Sequence, residues 1–176
     1  MDFTINRDIG QLHPEERKLL YDTVISMKPS VLVEIGTWKG MGSTYYTSSA
    51  LKSNNRGLLH TFEINPEFRD EAIGHLRAAG VIEYVRSYLG DFLTEFPKLN
   101  INIIDFAFID GPEDGDYTLR AFNCLNNMMR SKSCIIMHDW KSEKCRCMRE
   151  ILNTQCGWTI DTILDSEVGI CKIIKQ

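Results

Sequence analysis

The sequence predicts an α/β fold: a doubly wound, mostly parallel seven-stranded sheet that ends in an antiparallel β-hairpin. Three observations predict it. Short apolar runs alternate with amphipathic segments along most of the chain, the pattern that lays helices over a parallel sheet. The last two strand-like segments are separated by little more than Asp165-Ser166-Glu167, a connection that suits antiparallel neighbours and not a crossover. Polar and glycine residues collect where the apolar runs end, the edge at which such sheets bind ligands.

The elements follow in order. His13-Pro14-Glu15-Glu16 opens a helix, with proline in the first turn where its missing N–H costs nothing. Leu19, Leu20, Val24 and Met27 continue it at helical spacing, and Pro29 stops it. Val31 to Ile35 is an almost continuous apolar run, as in a buried parallel strand. After a glycine-containing turn, Met41 to Leu51 reads as a helix and Asn54-Asn55-Arg56-Gly57 as a turn. Leu58 to Ile64 is the second strand, with Glu63 near its end. Asn65-Pro66-Glu67 starts a helix that runs to Ala79, with Gly80 closing it.

Ile82 to Arg86 is the third strand, and Asp91 to Phe96 a short helical turn. Ile104 to Ile109 is the fourth strand, closed by Asp110-Gly111-Pro112, and Tyr117 to Met129 the next helix. Cys134 to Met137 is the fifth strand, closed by His138-Asp139-Trp140. A helix from Ser142 to Leu152 precedes the hairpin of Trp158 to Leu164 and Gly169 to Ile174.

A chain of 176 residues, 43% hydrophobic, suits one domain spanning 1–176 with the helical segment 1–29 packed on it. The formal net charge of −4 argues against a sequence-independent nucleic-acid binder, which needs a basic face. The six cysteines include a lone Cys145-x-Cys147 pair with no histidine after it. Zinc spacing is therefore missing, and free thiols in a reducing compartment are expected. The start MDFTINRDIG is unlike a signal peptide, and no apolar stretch is long enough for a membrane span. A cytoplasmic protein that binds neither membrane nor nucleic acid is expected.

Five groups at the strand ends carry chemistry. Glu34-Ile35-Gly36-Thr37-Trp38-Lys39-Gly40-Met41-Gly42-Ser43-Thr44 is a strand, a glycine turn and a helix start, which opens backbone N–H groups to a ligand or packs strand on helix. Its glycines do not match G-x-G-x-x-G, so an ordinary dinucleotide fingerprint is absent. Glu63 ends the second strand, where an acid accepts ribose hydroxyls. Asp91 beside Phe92 suits an adenine amino group and ring, or an N-cap. Asp110 and Asp139 end the fourth and fifth strands. If those strands are neighbours, the two acids share a divalent ion, flank a substrate or cap helices. His138 and Lys141 beside them are candidate bases, and Trp38, Tyr45 and Trp140 line a pocket or pack in the core.

From Val31 to Ile174 this series resembles the class I S-adenosylmethionine-dependent methyltransferases. Glu34-Ile35-Gly36-Thr37 looks like their first cofactor motif in an E-x-G-[ST] form, Leu59-His60-Thr61-Phe62-Glu63 like the second, and Gly90-Asp91-Phe92 like the adenine motif. Phe108-Ile109-Asp110-Gly111 and Met137-His138-Asp139-Trp140 resemble the small branch of catechol-type and antibiotic-sugar O-methyltransferases. Where many relatives have Pro-Gly-Gly before the fifth strand, this chain has Arg130-Ser131-Lys132-Ser133. No histidine follows its Asp110-Gly111 pair.

The resemblance implies a Rossmann-like fold and methyl transfer to a small hydroxylated acceptor. It implies cofactor contacts from Glu34, Gly36, Thr37, Gly40, Ser43, Glu63, Ile64, Asp91, Phe92 and Asp110. Magnesium is implied at Asp110 and Asp139, with His138 or Lys141 as proton acceptor. Either the site is open or a second copy in a homo-oligomer closes it. The alternatives are a nicotinamide-dependent oxidoreductase and a non-catalytic cofactor-binding module.

Overall fold

The computed structural model describes residues 2–3, 8–154 and 157–176. Its strands are β1 (Val31–Ile35), β2 (Leu58–Glu63), β3 (Val85–Leu89), β4 (Ile104–Ile109), β5 (Met129–His138), β6 (Trp158–Leu164) and β7 (Ile170–Lys175). Its α-helices are α1 (Pro14–Met27), α2 (Ser43–Asn54), α3 (Pro66–Ala78), α4 (Phe92–Glu95), α5 (Gly115–Asn126) and α6 (Arg146–Leu152). The strands form one sheet in the order β3-β2-β1-β4-β5-β7-β6. The first five run parallel, and β7 pairs antiparallel with both β5 and β6. The expected sheet and its closing hairpin are both present.

Alternation along each strand divides the core between two faces. Leu32, Leu59, Phe106 and Ile136 pack with Leu20 and Val24 of α1 and with Ala50 and Leu51 of α2. Val33, Ile35, Ala107 and Ile135 point the other way, onto Phe92, Ala121, Phe122, Leu125 and Met148 of α4, α5 and α6. Among the described residues no helix is long and apolar enough to cross a membrane.

Several boundaries differ from the sequence expectation. Strand β3 starts at Val85, because Gly80 (φ +69°) is followed by a 3₁₀ turn, Ile82–Tyr84. In that turn the Tyr84 N–H bonds the Val81 carbonyl at 3.0 Å. Helix α2 runs on to Asn54, with Asn55 as its left-handed cap. Helix α5 begins at Gly115, because the Asp114 carboxylate accepts from the N–H groups of Asp116 (2.9 Å) and Tyr117 (3.1 Å). That helix ends at Asn126 so that Met129 can pair with Ile104. Strand β5 is therefore much longer than the apolar run Cys134 to Met137. Its exposed stretch, Arg130 to Lys132, holds Lys132 at φ +70°, beside an irregularity in the β4 register. The helix expected from Ser142 is a 3₁₀ turn, Glu143–Cys145, followed by α6. Cys124, Cys134, Cys145, Cys147 and Cys171 are free thiols, and Cys156 lies outside the described residues.

The strand order reverses between β1 and β4, where successive connections leave in opposite directions and open a crevice. Gly36 stands at that point with φ +93°, and a Cβ there would lie 2.2 Å from the Asp110 carbonyl oxygen. Both the left-handed backbone and the contact require glycine. Gly36→Ala is expected to destabilise the fold by at least about 1–2 kcal/mol from backbone strain alone. Urea unfolding that gives wild-type stability for this variant would contradict the placement.

Candidate active site

A cleft of about 370 Å³ opens along the carboxyl ends of β1, β2, β4 and β5. Gly36, Trp38, Glu63, Ile64, Asp91, Asp110 and Asp139 all line it, so the strand-end residues singled out from sequence converge on one rim. A smaller adjoining hollow of about 30 Å³ is lined by Gln11, Gly36, Thr37, Gly42, Ser43 and Asp110.

The glycine bend is held from behind. The N–H of Gly36 donates to the Phe62 carbonyl at 3.1 Å, tying the end of β1 to β2. Glu34 lies behind the bend, 1% exposed. Its Oε2 accepts from the hydroxyls of Thr44 (2.7 Å) and Thr61 (2.6 Å). Its Oε1 is buried without a well-aligned hydrogen bond. Burial pushes the Glu34 carboxyl up to about 7, and the hydroxyls of Ser43, Thr61 and Thr44 offset only part of that rise. Thr61 also contacts the Thr37 hydroxyl, which links Glu34 to the turn.

Glu63 is fixed by backbone. Its Oε2 accepts from Trp38 N–H (2.7 Å) and its Oε1 from Asn65 N–H (2.9 Å), leaving lone pairs on both oxygens for a ligand. Trp38 reaches that position with φ +47°, a left-handed conformation for a bulky residue that the surroundings must impose. Asp91 occupies the N-cap position of α4, yet its side chain makes no capping bond. Tyr117 approaches it across the cleft. Burial first, and then the Asp91 carboxylate, push the Tyr117 hydroxyl well above its ordinary range.

At the other end of the cleft, charges interlock. Ile109 pairs with Met137 in the sheet register, which brings Asp110, His138 and Asp139 together just beyond the last pair. Asp139 turns back with φ +52°. His138 Nδ1 lies 3.2 Å from Oδ1 of both Asp110 and Asp139, and its Nε2 lies 3.4 Å from Glu16 Oε2. These are ion-pair contacts rather than well-aligned hydrogen bonds. Burial alone would lower the histidine's pKa. The carboxylates of Asp110, Asp139 and Glu16 outweigh it and push the pKa up to about 12, so His138 is an imidazolium at neutral pH.

Lys144 completes the cluster. Its Nζ contacts Asp139 Oδ2 and lies 3.1 Å from Asp110 Oδ1 and 3.2 Å from the Gly111 carbonyl. Burial would lower the Lys144 pKa, but Asp110 and Asp139 raise it above the usual lysine range. Burial would raise Asp139, but His138 and Lys144 hold it well below the ordinary carboxylate range. One ligand atom from each of Asp110, His138 and Asp139 falls within a 4.8 Å cluster, a spacing that admits a metal ion.

Some expected residues lie elsewhere. Phe92 is a correction: its ring is 1% exposed and packs against Phe62 and Phe96, so it cannot stack on a ligand in the cleft. Gly40 meets Ala72 of α3, where a Cβ would stand 2.8 Å from the alanine Cβ, so it packs helix on turn and does not line the cleft. Lys141 turns away from Asp110: its Nζ pairs with Asp165 at 2.6 Å and donates to the Ser166 carbonyl, in the loop between β6 and β7. Trp140 belongs to the core, and Tyr45 packs beside Leu76 and Val81. The sequence reading missed Lys144, Tyr117 and Glu16. The pair His13 and Glu16 was legible as a helix cap, and the cap is present: His13 N–H donates to Glu16 at 2.8 Å.

The sequence matches a family pattern described as a methyltransferase domain over residues 33–140. No curated protein matches it. Among solved structures, the fold is similar to that of the O-methyltransferase TomG from Streptomyces achromogenes, involved in tomaymycin synthesis and solved with SAM. That match has a TM-score of 0.80 and 20% identity over 94% of this chain and 81% of that one. An O-methyltransferase from Bacillus cereus, solved with SAH, gives a TM-score of 0.77 and 20% identity over 93% and 82%. An SAH-bound methyltransferase from Podospora anserina gives 0.70 and 16% identity over 94% and 80%. At these identities the likeness is one of fold.

The Glu34 environment has a measurable consequence. The folded carboxyl keeps its proton to about pH 7, whereas the unfolded one releases it near 4.5. The native state then binds more protons, so this residue costs stability as pH rises through that window, with no further change above it. At about 1.4 kcal/mol per pKa unit, the cost reaches about 3 kcal/mol. Glu34→Gln cannot titrate. Its stability relative to the wild type is expected to rise across that pH window by up to this amount, measured by denaturant unfolding at each pH. A difference that stays constant with pH would contradict the buried, proton-holding state.

Proposed function

The chain belongs to the methyltransferase-domain family, and from that premise we propose that it moves the methyl group of S-adenosylmethionine to an oxygen of a small hydroxylated acceptor. The family match sets the nicotinamide-dependent oxidoreductase aside. One observation carries the reading: Glu63 ends β2 with a backbone-fixed carboxylate in the same cleft as the glycine bend of the strand-order switch. The residues fit an adenosyl ligand. Gly36 lets the turn close against the Asp110 backbone and line the cleft, Glu63 offers acceptors for two ribose hydroxyls, and a buried Glu34 oxygen behind the turn lacks a well-aligned hydrogen bond.

When bound, S-adenosylmethionine supplies a methyl group already activated by its sulfonium charge. The chain's own residues then bind and orient. Glu63 takes the ribose, with the exposed Ile64 as the apolar contact beside it. Asp91, free of capping duty, accepts from the adenine amino group in place of any stacking by Phe92. The hollow of Gly36, Thr37, Ser43 and Asp110 receives the amino-acid end. Glu34 acts through the Thr61 and Thr37 hydroxyls as a positioning residue.

On the acceptor side, Asp110 and Asp139 line the cleft and accept hydrogen bonds from the acceptor hydroxyl, which fixes its approach; the proton that the hydroxyl loses as its oxygen is methylated passes along that bond to a carboxylate and on to solvent. His138 already carries its proton and serves to hold the two carboxylates. An acceptor small enough for this cleft, and not a nucleic acid, suits the formal net charge of −4.

A hydrogen bond to a charged acceptor contributes about 1.5–3 kcal/mol. Glu63→Ala is therefore expected to weaken S-adenosylmethionine binding by about tenfold to a hundredfold in calorimetry. NAD is expected to give no binding heat with the wild type. Unchanged S-adenosylmethionine affinity in the variant would sink the ribose assignment.

A further inference from the structure

We infer that Lys144 holds the place a divalent ion would take between Asp110 and Asp139, so that this chain works without a metal in its cleft. The inference rests on the methyltransferase reading for its meaning in catalysis, but not for its geometry.

Two carboxylates from neighbouring strand ends make a natural cation site. Here the cation is built in. The Lys144 ammonium has three hydrogens, and the three nearest acceptors are Asp139 Oδ2, Asp110 Oδ1 at 3.1 Å and the Gly111 carbonyl at 3.2 Å. Its side chain is only 2% exposed, and Glu113 lies 3.5 Å from the same nitrogen. Lysine is almost never buried to this degree unless paired. The backbone that carries it is anchored as well: Cys145 N–H bonds the Ser142 carbonyl at 3.3 Å, and the Cys145 thiol approaches the His138 carbonyl.

An imidazole stands behind the ammonium. His138 faces Oδ1 of both aspartates, and on its far side Glu16, 0% exposed, is held by His13 N–H and the Ser166 hydroxyl. Magnesium demands about six oxygens at about 2.0–2.1 Å in a near-ideal octahedron. This cluster offers two carboxylates whose Oδ1 atoms face an imidazole and whose remaining contacts are with an ammonium. An ion placed there would press against the Lys144 ammonium. The expectation of magnesium therefore does not fit the cluster while Lys144 is seated, although the spacing of Asp110, His138 and Asp139 alone would admit an ion. Lys144 makes the difference, and its removal should create the site that its presence fills.

The test is a titration of the full chain with manganese(II), read by calorimetry and by the electron paramagnetic resonance signal of the free ion. The wild type is expected to show no stoichiometric binding at millimolar manganese. Lys144→Met, with its fold checked by circular dichroism, is expected to bind one ion at least about tenfold more tightly and to lose it again when Asp139→Asn is added. One ion bound by the wild type in the micromolar range and lost in Asp139→Asn would overturn the inference. A folded Lys144→Met that binds no better than the wild type would overturn it equally. Should Lys144→Met not fold, Lys144→Gln takes its place, and the wild-type titration decides by itself in either direction. S-adenosylmethionine binding is measured on the same samples. Its absence would count against the methyltransferase reading and leave the manganese result standing.

Discussion

Two acids that end adjacent parallel strands are forced into company by the sheet itself, and in a partly buried cleft they need positive charge between them. Asp110 and Asp139 meet this constraint with Lys144 in front and His138 behind. Much of the surrounding structure serves that arrangement. The first helix brings Glu16 under His138, the bend at Asp139 turns the chain back, and the short turn after it returns Lys144 over the strand ends. Fully paired, such a network positions its members; losing one partner would leave an uncompensated charge, which is far more costly than any single contact is favourable.

The other half of the cleft obeys a steric constraint. Strands β1 and β4 part at Gly36, with the Asp110 carbonyl where a side chain would be. The same aspartate thus closes the glycine bend with its backbone and the ion cluster with its carboxylate. That residue couples the wall assigned to the donor and the wall assigned to the acceptor, so the two halves are aligned by the sheet and not by a mobile loop. Glu63, tied to Trp38 and Asn65 by backbone N–H groups, extends the rigid rim to β2.

The fold was legible because burial imposes it. Apolar runs such as Val31–Ile35 and Ile104–Ile109 had no other stable use than as covered strands, and the polar residues after them marked the ligand edge. What stayed hidden depends on which way a side chain turns. Asp91 and Phe92 are neighbours, but one lines the cleft and the other fills the core. Lys141 and Lys144 look alike in a charged helix start, and only the 3₁₀ turn sends the second back to Asp110 and the first out to Asp165. The early start of β5 was masked because three residues near its beginning, Arg130 to Lys132, are polar and exposed. The lysine that reaches the two acids through space left no mark in the sequence beside either of them.

The most direct measurement is a crystal structure of the protein grown with S-adenosylhomocysteine and manganese(II), with data collected at the manganese absorption edge. The expected map has the ribose on Glu63, the amino-acid end beside Gly36, and Lys144 seated between Asp110 and Asp139 with no anomalous peak there. A manganese peak at the two aspartates with Lys144 displaced, or the ligand bound away from Glu63, would contradict it.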